Sequence, residues 1–108
     1  MKRKKLPKAV KDQVWFRQKG RCACCIERGK EYHHFVAVSL GGNDSCSNIV
    51  FLCKKHHKLV HLDDLDTILT ILEYIYYLRN GFLPDTNELL ESANEIASSY
   101  INKEESPT

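Results

Sequence analysis

The chain lacks the long apolar run that a transmembrane helix requires. No segment approaches about 18 consecutive apolar residues, so we expect no membrane partner. The N-terminal MKRKKLPK has no apolar stretch behind its charges, unlike a secretory signal, and this favours a cytoplasmic protein. Internal repeats and low-complexity stretches are also missing, which excludes repeat architectures.

Cysteine is plentiful, with five among 108 residues, although nothing in the sequence indicates export. In a reducing compartment, thiols bind metal more often than they form disulfides. A chain of this size forms one domain with a modest core, so a metal that staples the fold would add useful stability.

The N-terminal segment has few acidic residues, and the C-terminal segment has few basic ones. Residues 1–21 carry nine Lys or Arg against a single acid, Asp12, whereas residues 62–108 carry two bases against ten acids. The net charge of +2 hides this asymmetry. A basic front half favours contact with a polyanion, and the alternative is a solvated basic leader.

The hydrophobic pattern predicts a helix that opens at Pro7 and ends at Gly20, with Val10 and Val14 on its buried face. Trp15 and Phe16 are interpreted as core residues beneath a cysteine-rich loop rather than as base-stacking platforms. KEYHHFVAV and NIVFLC read as strands separated by the glycine-containing loop LGGNDSCS, and KKHHKLVHL reads as a helix.

From Asp63 onward the apolar residues recur at helical spacing. One helix is predicted to stop at Asn80-Gly81, and TNELLESANEIASSYI forms a second. We expect residues 63–103 to form a helical hairpin that packs on the domain or makes a homodimer interface, and residues 104–108 to be a disordered tail. The fold class predicted is α+β.

Two short cysteine-containing knuckles predict a structural zinc site. Cys-x2-Cys is followed, 27 residues later, by Cys-x2-His, and tetrahedral zinc takes its four ligands from two such knuckles. The ligands that keep both gaps at two residues are Cys22, Cys25, Cys53 and His56. Cys24 in place of Cys25, or His57 in place of His56, remains an alternative at this point.

The remaining histidines point to a second metal site. His57 and His61 are four residues apart on a predicted helix, so they project from one face. His33 on the first predicted strand, KEYHHFVAV, can complete the set, while His34, its neighbour, points the other way. A single ion facing a free imidazole is an arrangement that can hydrolyse phosphodiesters.

The run VWFRQKGRCACC…EYHHFVAVSLGGNDSCSNIVFLCKKHHKLVH resembles the HNH endonuclease family. Its members commonly read R-C-x2-C, then H-H-I-x-P-x-S-x-G-G, then N-L-x2-L-C-x2-C-H-x3-H. The match covers roughly residues 14 to 61 and includes the motif letters His34, Asn48 and His57. The resemblance implies a ββα-metal core within residues 1–62, stapled by zinc, preceded by a basic helix and followed by the helical hairpin.

The resemblance also implies roles for the site residues. His34 would be the general base, His33, His57 and His61 would bind the catalytic divalent ion, and Asn48 would either orient the loop that carries His34 or touch the metal shell. The chain departs from the pattern at His56, which replaces a cysteine, and at His33, where many members have aspartate. An imidazole at His33 favours Mn²⁺, Ni²⁺ or Zn²⁺, and the family's habit adds Mg²⁺.

We therefore expect a metal-dependent DNA endonuclease that nicks or breaks duplex DNA. Phosphate contacts are expected from basic residues near the site, namely Arg17, Arg21, Lys54, Lys55 and Lys58. The alternatives are a zinc-stapled DNA-binding module without catalysis and a nuclease that acts on RNA.

Overall fold

The computed structural model describes residues 6–101, in which a two-stranded antiparallel sheet is surrounded by helices. Helix α1 spans Lys8–Gln18, strands β1 and β2 span Glu31–His34 and Ile49–Leu52, and helix α2 spans Lys54–His61. Helices α3 and α4 span Leu65–Asn80 and Thr86–Ser99. The α+β class and the predicted order of strand, loop, strand and helix are confirmed. The disordered tail predicted for residues 104–108 lies outside the described residues.

Local signals explain where the helices begin and end. Pro7 occupies the N-cap of α1, and the chain leaves that helix at Lys19, whose φ of 54° is left-handed. Asp64 caps α3 by accepting a hydrogen bond from the Thr67 backbone N–H, and Gly81 ends α3 with a φ of 85°. None of the helices in residues 6–101 has the length and apolar character needed to cross a bilayer.

Strand β2 is fully buried and divides the core in two. Its residues Ile49 and Phe51 pack with Val14 of α1, whereas Val50 and Leu52 pack into a larger cluster formed with α3 and α4. This alternation follows from the two-residue period of a strand. The helical hairpin therefore packs on the sheet, and its use in a homodimer stays a prediction.

The expectation that Trp15 and Phe16 are core residues was wrong. Trp15 is 45% exposed and Phe16 is 72% exposed, and their rings contact each other edge to face. Helix α1 instead buries Val14 and Gln18, the latter because its amide bonds the backbone N–H and C=O of Phe51.

Strand β1 is shorter than the predicted KEYHHFVAV. The ladder pairs His33 with Val50 and His34 with Ile49, and then the chain leaves the sheet. The N–H and C=O of Val36 bond to the side chain of Asn48 rather than to a strand, which replaces the missing ladder bonds. The strand consequently ends at the histidine pair.

Candidate metal centres

Three cysteines and one histidine converge beside the sheet, as predicted. Cys22 and Cys25 lie in the loop after α1, Cys53 follows β2, and His56 lies in the first turn of α2. One ligand atom from each of the four residues lies within 4.8 Å of the other three. We name these four residues the cysteine cluster.

The interatomic distances in the cysteine cluster fit a tetrahedral ion. Zn–S bonds of about 2.3 Å imply S–S edges of about 3.8 Å and S–N edges of about 3.6 Å. The Cys25 and Cys53 sulfurs lie 3.8 Å apart, and His56 Nδ1 lies 3.7 Å from Cys22 Sγ and 3.3 Å from Cys53 Sγ. The cysteine cluster could therefore hold a structural metal such as zinc.

Backbone N–H groups donate hydrogen bonds to two sulfurs of the cysteine cluster. Cys24 N donates to Cys22 Sγ at 3.3 Å, and His56 N donates to Cys53 Sγ at 3.4 Å. Burial opposes ionisation of Cys53, but the backbone and ring of His56 and the neighbouring thiols outweigh it and lower its pKa to about 7. Such donors stabilise the thiolate form that binds metal.

The structure decides between the two alternatives for each knuckle. Cys24 lies outside the cysteine cluster, and burial, followed by the charge of Cys22, raises its pKa to about 12. His57 lies with other histidines. Cys25 and His56 are accordingly the ligand candidates, which agrees with the two-residue gap predicted within each knuckle.

Three imidazoles form a second group, which we name the histidine cluster: His33 of β1 with His57 and His61 of α2. One nitrogen of each ring lies within 4.8 Å of the others, and the Nε2 atoms of His57 and His61 lie 3.1 Å apart. Ligands of one tetrahedral ion with metal–nitrogen bonds of about 2.0–2.1 Å would lie about 3.3 Å apart. The donor set fits a single divalent ion.

Electrostatics favours neutral rings at His33 and His57. Burial, and after it the charges that His57, His61 and His34 would carry, lower the pKa of His33 to about 4. Burial and then His61 also lower the pKa of His57. Neutral imidazole is the form that has a lone pair for a metal.

His34 lies beside the histidine cluster. It lines the same cavity of about 270 Å³ as His33, His57 and His61, although adjacent residues of a strand face opposite ways. Its Nε2 lies 2.8 Å from Oδ1 of Asp44, in the loop that precedes β2. Asp44 was missed by the sequence reasoning, because this contact depends on how the loop folds back.

Asn48 is fully buried. Its Oδ1 accepts from Val36 N at 2.8 Å, and its Nδ2 donates to Val36 O at 3.2 Å and Asn43 O at 2.7 Å. These contacts match the loop-orienting role, one of the two that the resemblance implied, and they use backbone groups rather than the histidine rings.

The predicted phosphate-contacting residues divide into two groups. The guanidinium of Arg17 is directed inward and donates hydrogen bonds to Tyr74 Oη, Cys46 O and Ile49 O. It therefore holds α1 against the core, although the sequence predicted a phosphate contact. The remaining four are exposed: Arg21, Lys54, Lys55 and Lys58.

Comparison of the chain with models of known protein families finds no match, and comparison with curated proteins finds none. The resemblance to HNH endonucleases therefore rests on the sequence motif alone and stays an expectation.

Proposed function

We propose that this chain is a metal-dependent endonuclease of the HNH type that hydrolyses DNA phosphodiester bonds. One observation carries the proposal: the imidazoles of His33, His57 and His61 converge in a cavity that His34 also lines. In the proposed enzyme the base would therefore lie next to the metal site.

The histidine cluster would bind the scissile phosphate through a divalent ion. Such an ion neutralises phosphate charge and stabilises the leaving oxygen when it is bound. His33 supplies a neutral ring because burial lowers its pKa to about 4. Three imidazoles favour Mn²⁺, Ni²⁺ or Zn²⁺, whereas Mg²⁺ prefers oxygen ligands.

His34 would take the proton from the attacking water. An ionised carboxylate only accepts hydrogen bonds, so its contact with Asp44 assigns the proton of the neutral ring to Nε2. The lone pair then lies on Nδ1, which is the atom that accepts the proton from water. Asp44 also stabilises the imidazolium that results.

Asn48 supports this geometry without taking part in proton transfer. Its side chain bonds Val36, near the start of the loop that carries Asp44, and Asn43, the residue directly before Asp44. The cysteine cluster, when it holds zinc, ties the loop after α1 to α2, the helix that presents His57 and His61.

Supercoiled plasmid tests the proposal. Incubation with Mg²⁺, Mn²⁺, Ni²⁺ or Zn²⁺ in turn should relax the plasmid with at least one ion. The loss in His34→Ala should be about 10²–10⁴-fold, while Glu91→Gln, an exposed change on α4, should cleave like the parent. Unchanged cleavage in His34→Ala would refute the assignment of the base.

The rival proposal is a zinc-stapled DNA-binding module without catalysis. It is favoured by a basic cavity beside the cysteine cluster, lined by Arg21, Lys54 and Lys55. DNA binding with no cleavage under any of the four ions would support the module and reject the nuclease. Offering RNA beside DNA identifies the substrate, since cleavage of RNA alone would contradict the DNA assignment.

A further inference from the structure

A cavity of about 750 Å³ lies against the cysteine cluster, and no residue of the histidine cluster lines it. Its walls carry one acid, Glu27, and five bases: Arg21, Arg28, Lys30, Lys54 and Lys55. We name this cavity the basic groove. The residues that line it include none of those that line the histidine cavity. On α2, His56 faces the basic groove while His57 faces the other cavity.

The basic groove is assembled by the same contacts that form the cysteine cluster. Three of its bases come from residues 21–30 and two from the start of α2, segments that meet because Cys25, Cys53 and His56 converge there. The loop between Arg21 and Lys30 is held by backbone bonds, including Lys30 N to Leu52 O at 2.8 Å. The charges therefore sit on a rigid frame.

Within the part of the chain that the structure describes, the five bases of the groove form no salt bridge with a carboxylate. Within residues 6–101, the salt bridges join Lys8 to Asp12 and His34 to Asp44, and neither involves a base of the groove. Gathering five cations around a single carboxylate, that of Glu27, costs free energy through mutual repulsion, and a bound polyanion would remove that cost.

The shape of the charged surface favours a linear polyanion over a single phosphate. A second cavity of about 230 Å³ shares Arg21 and Arg28 with the basic groove and adds Lys19 and the exposed face of Trp15. Cations arranged in succession can follow a phosphodiester backbone, whereas a single phosphate would contact only a few of them.

We propose that the basic groove binds the phosphodiester backbone of nucleic acid at a site separate from the histidine cavity. Arg28 and Lys30 are contacts that the sequence reasoning did not identify. Because backbone contacts position a duplex without reading its sequence, the groove would anchor DNA to the domain whether or not the histidine cluster is catalytic.

The test measures how DNA binding depends on salt. The zinc-loaded full chain, carrying His34→Ala, is titrated with a short fluorescein-labelled duplex at salt concentrations from about 50 to about 200 mM. Each lost phosphate contact reduces the slope of log affinity against log salt by about 0.9, so Arg28→Gln with Lys30→Gln should reduce it by about 2. Lys8→Gln with Lys11→Gln, which removes two charges outside the groove, should leave the slope unchanged.

Two outcomes overturn the proposal. The first is an unchanged slope in the variant with Arg28→Gln and Lys30→Gln. The second is an equal change in both double variants, which would show that DNA binding depends only on the net charge of the protein. If the double variant does not fold, as judged by zinc content and thermal melting, Arg28→Gln alone should reduce the slope by about 0.9. Binding in the His34→Ala background needs no turnover. A charge-dependent slope in a protein whose parent never cleaves DNA would thus support the groove and reject the nuclease.

Discussion

Nε2 of His34 lies 2.8 Å from Oδ1 of Asp44, which joins the last residue of β1 to the loop that leads into β2. The two residues are ten positions apart, and the His34 side chain is partly buried whereas Asp44 is exposed. A histidine oriented by a carboxylate has a defined tautomer, and this turns one of two adjacent histidines into a candidate base while the other faces a metal site.

Replacing Asp44 by Asn tests this orientation. The amide can present either an N–H or an oxygen to His34, so the tautomer is no longer fixed and the imidazolium loses its counter-charge. We expect plasmid cleavage to fall, but by less than the roughly 10²–10⁴-fold expected for His34→Ala. Glu95→Gln, which removes an exposed carboxylate from α4, is the control and should cleave like the parent. Full activity in Asp44→Asn would show that the pairing has no role in catalysis.

The cysteine cluster predicts opposite results for neighbouring thiols. Cys25→Ser removes a sulfur that lies 3.8 Å from Cys53 Sγ, whereas Cys24→Ser removes a half-buried thiol outside the cluster. Because metal binding free energy contributes to folding, Cys25→Ser should lose bound zinc and melt at a lower temperature, while Cys24→Ser should keep one zinc per chain in the cysteine cluster. Metal content by mass spectrometry and thermal melting with and without chelator measure both. Equal zinc retention in the two variants would reject the ligand assignment.

Much of the fold and both clusters could be predicted because their signals are local. The Cys-x2-Cys and Cys-x2-His gaps and the four-residue interval between His57 and His61 each lie within a single turn or knuckle. Strand β2 was recognisable as a short apolar run, and the last two helices by their periodicity. The structure confirms the elements and the geometry of the cysteine cluster, while the catalytic roles stay predictions.

What could not be predicted depends on long-range contacts. Arg17 reads as a surface base in a basic segment, but tertiary folding brings Tyr74, 57 residues away, within 3.1 Å of it. Trp15 was assigned to the core from its hydrophobicity, although Gln18 occupies the buried position by bonding Phe51. The Asp44 contact and the basic groove likewise require loop conformations that no spacing rule specifies.

Gly42 is expected to be intolerant of a side chain for steric reasons. Of the adjacent Gly41 and Gly42, only Gly41 has a positive φ, at 91°. At Gly42 an added Cβ would lie 1.7 Å from the carbonyl oxygen of Val36, so backbone must move. We expect Gly42→Ala to lower the free energy of unfolding in urea by more than Gly81→Ala, because Gly81 has open space around it and the strain of its φ of 85° costs only about 1–3 kcal/mol. The reverse order would contradict the close packing.

Asn48 provides the sharpest test of how the loop is held. Asn48→Ala would leave the N–H and C=O of Val36 and the C=O of Asn43 without the partners that they have now. A buried polar group that loses its hydrogen bond costs about 1–3 kcal/mol, so we expect the free energy of unfolding to fall by at least about 2 kcal/mol. Asn94→Ala, at an exposed position of α4, should change it by less than about 0.5 kcal/mol.

The same variant separates positioning from proton transfer. If Asn48 acts only by holding the loop, Asn48→Ala should cleave DNA more slowly because His34 and Asp44 are no longer held together. The histidine cluster of this variant should still bind Mn²⁺ or Ni²⁺, because the rings of His33, His57 and His61 lie on β1 and α2 rather than on the loop. Isothermal titration of the zinc-loaded chain with either ion measures that binding. Loss of the ion together with full retention of stability would instead place Asn48 in the metal shell and reject the loop-holding role.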